Sequence, residues 1–199
     1  MNEPPIDPDN FFKTACKFEA ALILVAIVLG WIAAINPFEF IIFDEQAIIN
    51  GITGTLPLCL IFIALNQLQL KSLQKIRRVL HQTLGPSLYK HHWTDLFVLA
   101  AIAGISEEIL FRGVIQPWIE SAWGMMAGLL VSSVIFGLVH AVTALYFVMA
   151  TAVSIYLGLY LDYDNTRNLL TPIIIHSLYD FFAFVIILHS YRLEQQKAK

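Results

Sequence analysis

The chain has 199 residues, of which 58% are apolar and 14% charged, and a mean hydropathy of +0.69. Soluble domains hold about 45–50% apolar and about 25% charged residues, so this chain cannot cover its apolar surface with polar groups and its solvent is lipid. A net charge of −3 with no basic stripe gives nucleic-acid binding no electrostatic support, and Cys16 and Cys59, without a CxxC pattern, form neither a disulfide framework nor a cysteine-based zinc site.

The expected fold is all-α, a polytopic transmembrane helix bundle of about six spans plus one amphipathic surface helix. Met1 to Asn10 are polar and proline-rich and lack a secretory signal's basic start, so the first apolar run is read as a retained span. Spans of roughly 20 mostly apolar residues are expected at about Ala20 to Ile35, Ala47 to Leu65, Leu96 to Ile115, Trp123 to Val139, Ala144 to Leu161 and Leu169 to Leu188. Trp31, Trp93, Trp118 and Trp123 stand near span ends, where aromatic belts form.

Gln67 to Trp93 is long and basic, with apolar residues recurring at three to four, and reads as an amphipathic helix on the membrane surface ended by Gly85-Pro86. Its lysines and arginines place it in the cytoplasm, and with six spans both termini are cytoplasmic too. The organisation is a polar segment at 1–18, two accessory spans at 19–66, the basic connection at 67–93, a core carrying the chemistry at 94–190 and a polar tail at 191–199.

Charges inside a bilayer cost ~2.5–3.5 kcal/mol each on insertion scales. They belong in a cavity or beside a partner. Here Glu107, Glu108 and Arg112 fall within one span. Glu108 and Arg112 are four apart and share a helix face, so they can pair. Glu107 is rotated by ~100° from Glu108 and has no obvious local partner, which suits a general base. The fourth span ends at Phe136 to His140, and the sixth carries His176 and Asp180, again four apart. Glu107, His140 and His176 could hold a divalent metal such as zinc, or position a water and polarise a carbonyl. His81, His91, His92 and His189 read as interfacial and solvated. No HExxH, GxSxG or phosphate-binding glycine loop occurs.

Glu107-Glu108-x-x-x-Arg112, Phe136-x-x-x-His140 and His176-x-x-x-Asp180, in that order on apolar segments, resemble the signature of the CPBP family. That family groups CAAX prenyl endopeptidases with bacteriocin-processing and bacteriocin-immunity membrane proteins. The resemblance covers about Leu96 to Phe184. It implies an intramembrane endopeptidase acting on a membrane-associated protein or peptide in the lipid bilayer, glutamate- or metal-dependent, and the plasma membrane of a prokaryote as its site. By position, Glu107 would be the catalytic glutamate activating water with His140. Glu108 and Arg112 would support it, and His176 and Asp180 would stabilise the oxyanion. Asp180 stands where the prenyl endopeptidases typically have asparagine, and an ionised carboxylate repels an oxyanion.

Depth sets a further expectation. His140 stands at the end of its span, while Glu107 is ~16 Å and His176 ~10 Å in, at 1.5 Å per residue. The fourth helix is therefore expected to extend past His140, with Ala141 to Leu145 dipping into the bundle. The competing readings are a non-enzymatic scaffold, immunity or assembly protein that keeps these residues as structural glue, and a small transporter or proton relay.

Overall fold

The computed structural model describes residues 8–197; the rest of the N-terminal polar segment and the last two residues of the tail lie outside them. All regular structure among the described residues is helical. Helices α1 (Pro8–Ala33), α2 (Glu45–Gln67), α3 (Lys71–Leu88) and α4 (Trp93–Leu110) come first. A π-helical turn at Phe111–Ile115 joins α4 to α5 (Gln116–Trp123) without a break, and α6 (Met125–Val139), α7 (Ala144–Tyr160) and α8 (Leu170–Lys197) complete the bundle. α4 and α8 pack along each other at its centre, flanked by α1 on α4, α2 on α8, and the sequential pairs α5–α6 and α6–α7.

Local chemistry fixes the helix ends. The Asp44 carboxylate accepts from the Ala47 amide and starts α2. His92 and Asp95 form a reciprocal cap on α4, and the Thr143 hydroxyl accepts from the Tyr146 amide to start α7. Gly124, at φ 85°, turns α5 into α6, a conformation that glycine adopts without steric cost.

Among the described residues, α1, α2 and α8 are long and apolar enough to cross a membrane, while α6 and α7 are shorter apolar helices. This is an integral membrane helix bundle, but its expected six full spans resolve into these long helices, the charged α4–α5 rod and a short α6–α7 pair. Trp31, Trp93, Trp118 and Trp123 are all exposed, as aromatic belts require.

Two expectations about the basic connection change. The helix does not end at Gly85-Pro86: α3 runs on to Leu88, with Pro86 inside it. Packing holds this last turn, because Gly85 lies flat against the Tyr191 ring, and Leu88 joins a cluster with Leu96, Leu99 and Leu188. Nor is the apolar face of α3 laid on lipid alone. Leu73 and Ile76 are buried as α3 docks on α1 and α8. Arg77 donates to the carbonyls of Asn66 and Leu68, tying α3 to the end of α2. His91, expected in solvent, stacks on Phe12 with ring centroids 4.6 Å apart.

At the other end of the bundle, Arg167 donates to Asp162 at 2.9 and 2.8 Å and to Glu120 at 2.7 Å. These carboxylates, Asp162 foremost, hold its guanidinium above the usual arginine pKa.

Candidate active site

Two close approaches bring the charged residues together. The first is the crossing of α4 and α8 at Gly104 and Ser177. A Cβ at position 104 would collide with the Ser177 hydroxyl and lie 2.8 Å from its backbone nitrogen. Small residues at such a crossing let membrane helices approach closely. One turn along α4 from Gly104, Glu108 meets His176, the residue beside Ser177.

The second is the α5–α6 hairpin. Gly128 admits the Glu120 side chain and the Gln116 carbonyl against α6, so the two helices run back to back from Gly124. Glu107 precedes that turn by about as many residues as His140 follows it. The return path therefore brings His140 to the level of Glu107, and His140 Nε2 lies 3.6 Å from Glu107 Oε2. The expected extension of the fourth helix does not occur. α6 stops at Val139, His140 caps it, and Ala141 and Val142 are exposed. α6 has 15 residues and is only ~22 Å long, against a hydrocarbon core of ~30 Å. A short helix, not a dipping loop, supplies the depth.

The charges form two groups. In the first, Arg112 Nη1 donates to Glu108 Oε1 at 2.8 Å. Its Nη2 donates to the Ser154 carbonyl at 2.6 Å and hydroxyl at 2.8 Å, and His176 Nδ1 lies 2.8 Å from the same Glu108 oxygen. Glu108 is 0% and Arg112 1% exposed. This network joins α4, α7 and α8 with both charges sealed from the surface, where unpaired charge is costly.

The second group is open. Glu107 Oε2 is buried with no hydrogen bond, and its neighbour His140 has a side chain 30% exposed. Glu107 has no hydrogen-bonded partner on its own helix and faces His140, from a helix distant in sequence. His140 Nδ1 lies 2.9 Å from the Phe136 carbonyl. A carbonyl only accepts, so Nδ1 carries a proton, and when the ring is neutral Nε2 presents a lone pair to Glu107. Asp180 Oδ2 faces His176 Nε2 at 3.5 Å, with its side chain 26% exposed.

Phe136 lies between the groups. His140 stacks on its ring at 4.3 Å, His176 meets it edge-on at 5.9 Å, and the Arg112 guanidinium lies over it at 5.2 Å. The π-helical turn at Phe111–Ile115 begins directly after Glu107 and Glu108; both their carbonyls accept from the Phe111 amide. Turns of this kind are frequent at functional sites. Shallow pockets beside Leu84 and Phe184 and beside Asn50 and Asp164 lie away from these residues.

The arrangement bears on a metal. Among the described residues no three His, Cys, Asp or Glu side chains are grouped to hold one. Both nitrogens of His176 face carboxylates, and His140 Nδ1 is turned to a backbone carbonyl. Glu107, His140 and His176 therefore do not fit as a zinc ligand set here. They form two imidazole–carboxylate pairs.

One residue facing this site escaped the sequence reading. Glu19 on α1 interacts electrostatically with Glu107, Asp180, His140 and His176, and its Oε2 is buried without a hydrogen bond. Its signal was an acid directly before the first apolar run, at the first position of the accessory spans.

The family comparison falls on the same part of the molecule. The model of the type II CAAX prenyl endopeptidase Rce1-like family matches residues 89–182, which holds α4 through to Asp180. That segment is of the CAAX protease family, as the three motifs led one to expect. No curated protein and no solved structure matches the chain.

Proposed function

We propose that the protein is an intramembrane endopeptidase in which Glu107 and His140 activate a water against a peptide bond of a membrane-associated substrate. The observation that carries this reading is the Glu107–His140 pair. Glu107 Oε2 and His140 Nε2 face each other at 3.6 Å, too far for a direct hydrogen bond, and with the imidazole neutral both are acceptors. A water beside them can donate one hydrogen to each. Two bases on one water raise its nucleophilicity and fix its lone pair toward the carbonyl.

The water oxygen would attack the carbonyl carbon while its proton passes to Glu107, and the same proton would pass on to the departing amine as the C–N bond breaks. His176 donates to Glu108 through Nδ1, and when protonated it also carries an Nε2 hydrogen, which can pass from Asp180 to the developing oxyanion. Asp180, as a carboxylate, orients that imidazole and does not line the oxyanion hole. Arg112 and Ser154 keep Glu108 in place, and Phe136 sets both imidazole planes.

The scaffold reading accounts for the Glu108 oxygen held by Arg112 and His176, although the other Glu108 oxygen is also buried without a hydrogen bond. It gives no reason for a buried Glu107 oxygen with no hydrogen bond next to a partly exposed imidazole. The lysines and arginines of the basic connection support a cytoplasmic α3 and cytoplasmic termini, in the plasma membrane of a prokaryote. The test is hydrolysis by the full chain in proteoliposomes of membrane-anchored peptides in 18O-labelled water. New C-termini carrying the label are expected from the wild type and not from Glu107→Gln. Labelled products in equal amount from both would overturn the assignment of Glu107.

A further inference from the structure

α3 meets the bundle through one face and leaves the opposite one unused. Leu73 and Ile76 are buried where α3 packs on α1 and α8, while Lys71, Lys75 and Arg78 are exposed. At ~100° per residue these three basic residues fall within an arc of ~60°, about half a turn from Leu73 and Ile76. Among the described residues none of the three side chains has an ion pair or a hydrogen bond, and α3 itself contains no acid. Like charges four apart on a helix repel, so the row is unfavourable unless a negative surface faces it. Arg77, rotated off the row, shows the contrast: it is spent on the carbonyls of Asn66 and Leu68.

The position of α3 says where such a surface would lie. α8 has 28 residues, a length of ~42 Å that outreaches a hydrocarbon core of ~30 Å. α3 lies along the flank of its projecting end. His81 is 3.4 Å from Glu194, Gly85 lies against the Tyr191 ring, and Leu88 clusters with Leu188. A helix laid against the side of a projecting helix turns its free face outward over the surrounding lipid. α3 also begins only three residues after Gln67, where α2 ends, which holds Lys71 near the level of the headgroups. Exposed apolar groups bracket the basic row, Leu68 and Leu70 before it and Tyr89 and Trp93 after it. Leucine and aromatic side chains of this kind settle at the boundary between headgroups and acyl chains.

We propose that the Lys71, Lys75 and Arg78 face of α3 is a binding surface for the phosphate headgroups of anionic lipids in the protein's own bilayer. The apolar stems of the three side chains lie over the acyl boundary while their charged ends reach the phosphates. An acidic soluble partner would use the charges and leave the flanking leucines and aromatics without a role; a lipid surface uses both. The inference stands on α3 and is independent of the endopeptidase reading.

The test is native mass spectrometry of the full chain in detergent with equimolar phosphatidylglycerol and phosphatidylcholine of the same acyl chains. The wild type is expected to retain phosphatidylglycerol over phosphatidylcholine by about tenfold, and by less as ionic strength rises. Lys71→Gln, Lys75→Gln and Arg78→Gln together should bring the ratio close to one, while Lys71→Arg, Lys75→Arg and Arg78→Lys together should keep it. Should the glutamine variant unfold, the single reversal Lys75→Glu carries the same test with a partial loss. Equal retention of the two lipids by the wild type, or a preference that survives the glutamine variant, overturns the proposal. An equal loss on removing the exposed charges of Lys13, Lys17 and Lys90 also overturns it, because net charge alone would then explain the preference. So does displacement of phosphatidylglycerol by free inorganic phosphate, which would place the ligand in solution.

Discussion

Glu107 and Glu108 are neighbours in the chain and opposites in circumstance. Glu108 is sealed, 0% exposed, and one of its oxygens is held by Arg112 and His176 together. Each also keeps a buried oxygen without a hydrogen bond, but that of Glu107 lies beside a histidine that solvent can reach. On the proposed function the same side chain serves as a strut in one place and as a reactive group in the next. What separates them is the ~100° that one residue turns on a helix: Glu108 faces α7 and α8, and Glu107 faces the end of α6. Charge content alone would not have told them apart.

The comparison breaks most sharply at Glu107. Glu107→Gln keeps the shape and removes the base, so kcat is expected to fall about 10²–10⁴-fold while the thermal midpoint in detergent holds. Full activity in that variant would make Glu107 a strut like its neighbour. Arg112→Met should do the opposite and act on stability first. It leaves Glu108 buried beside a single remaining partner, at a cost of about 3–5 kcal/mol. Glu108→Gln added to Arg112→Met should recover much of that loss, because the orphaned charge goes with it. Unfolding titrations of the three variants measure the difference, and a double variant no more stable than Arg112→Met would show that the network does not act as a unit.

The strut side of the site was legible in the sequence, since a spacing of four puts Glu108 with Arg112 and His176 with Asp180 on shared helix faces. The pairing of Glu107 with His140 was only half legible. The motif order named both residues, but the expected helical extension past His140 was wrong, because the depth was reckoned from a full span and α6 is short. The symmetry of the two residues about Gly124 carried the right answer. The attachment of His176 to Glu108 was not legible, because it depends on how α4 and α8 cross. Glu19 was lost for a related reason: composition marks where an apolar run begins, and α1 starts well ahead of that point, at Pro8.

The helix crossing itself can be tested through Gly104. Gly104→Val puts a branched side chain where even a Cβ meets the hydroxyl and backbone of Ser177. Overpacking of this kind costs about 1–3 kcal/mol. It should also lower activity, because α8 carries His176 and must shift to relieve the clash. A variant destabilised but fully active would show that the Glu108–His176 contact tolerates movement.

The smallest effect is expected at Asp180, and it sharpens the boundary between the two groups. Asp180 faces His176 at 3.5 Å with a quarter of its side chain in solvent, 26%, so screening leaves little of the pair's energy to lose. Asparagine at this position keeps an acceptor oxygen facing the His176 Nε2 hydrogen and adds an amide that can donate to an oxyanion. Asp180→Asn should therefore hold kcat/KM within about tenfold of the wild type, a change of at most about 1.4 kcal/mol. Asp180→Ala, which removes the acceptor and frees the ring to rotate, should fall further. A hundredfold loss in Asp180→Asn would show that the charge itself is needed, and would move Asp180 from the residues that hold the imidazole to those that take part in the chemistry with Glu107.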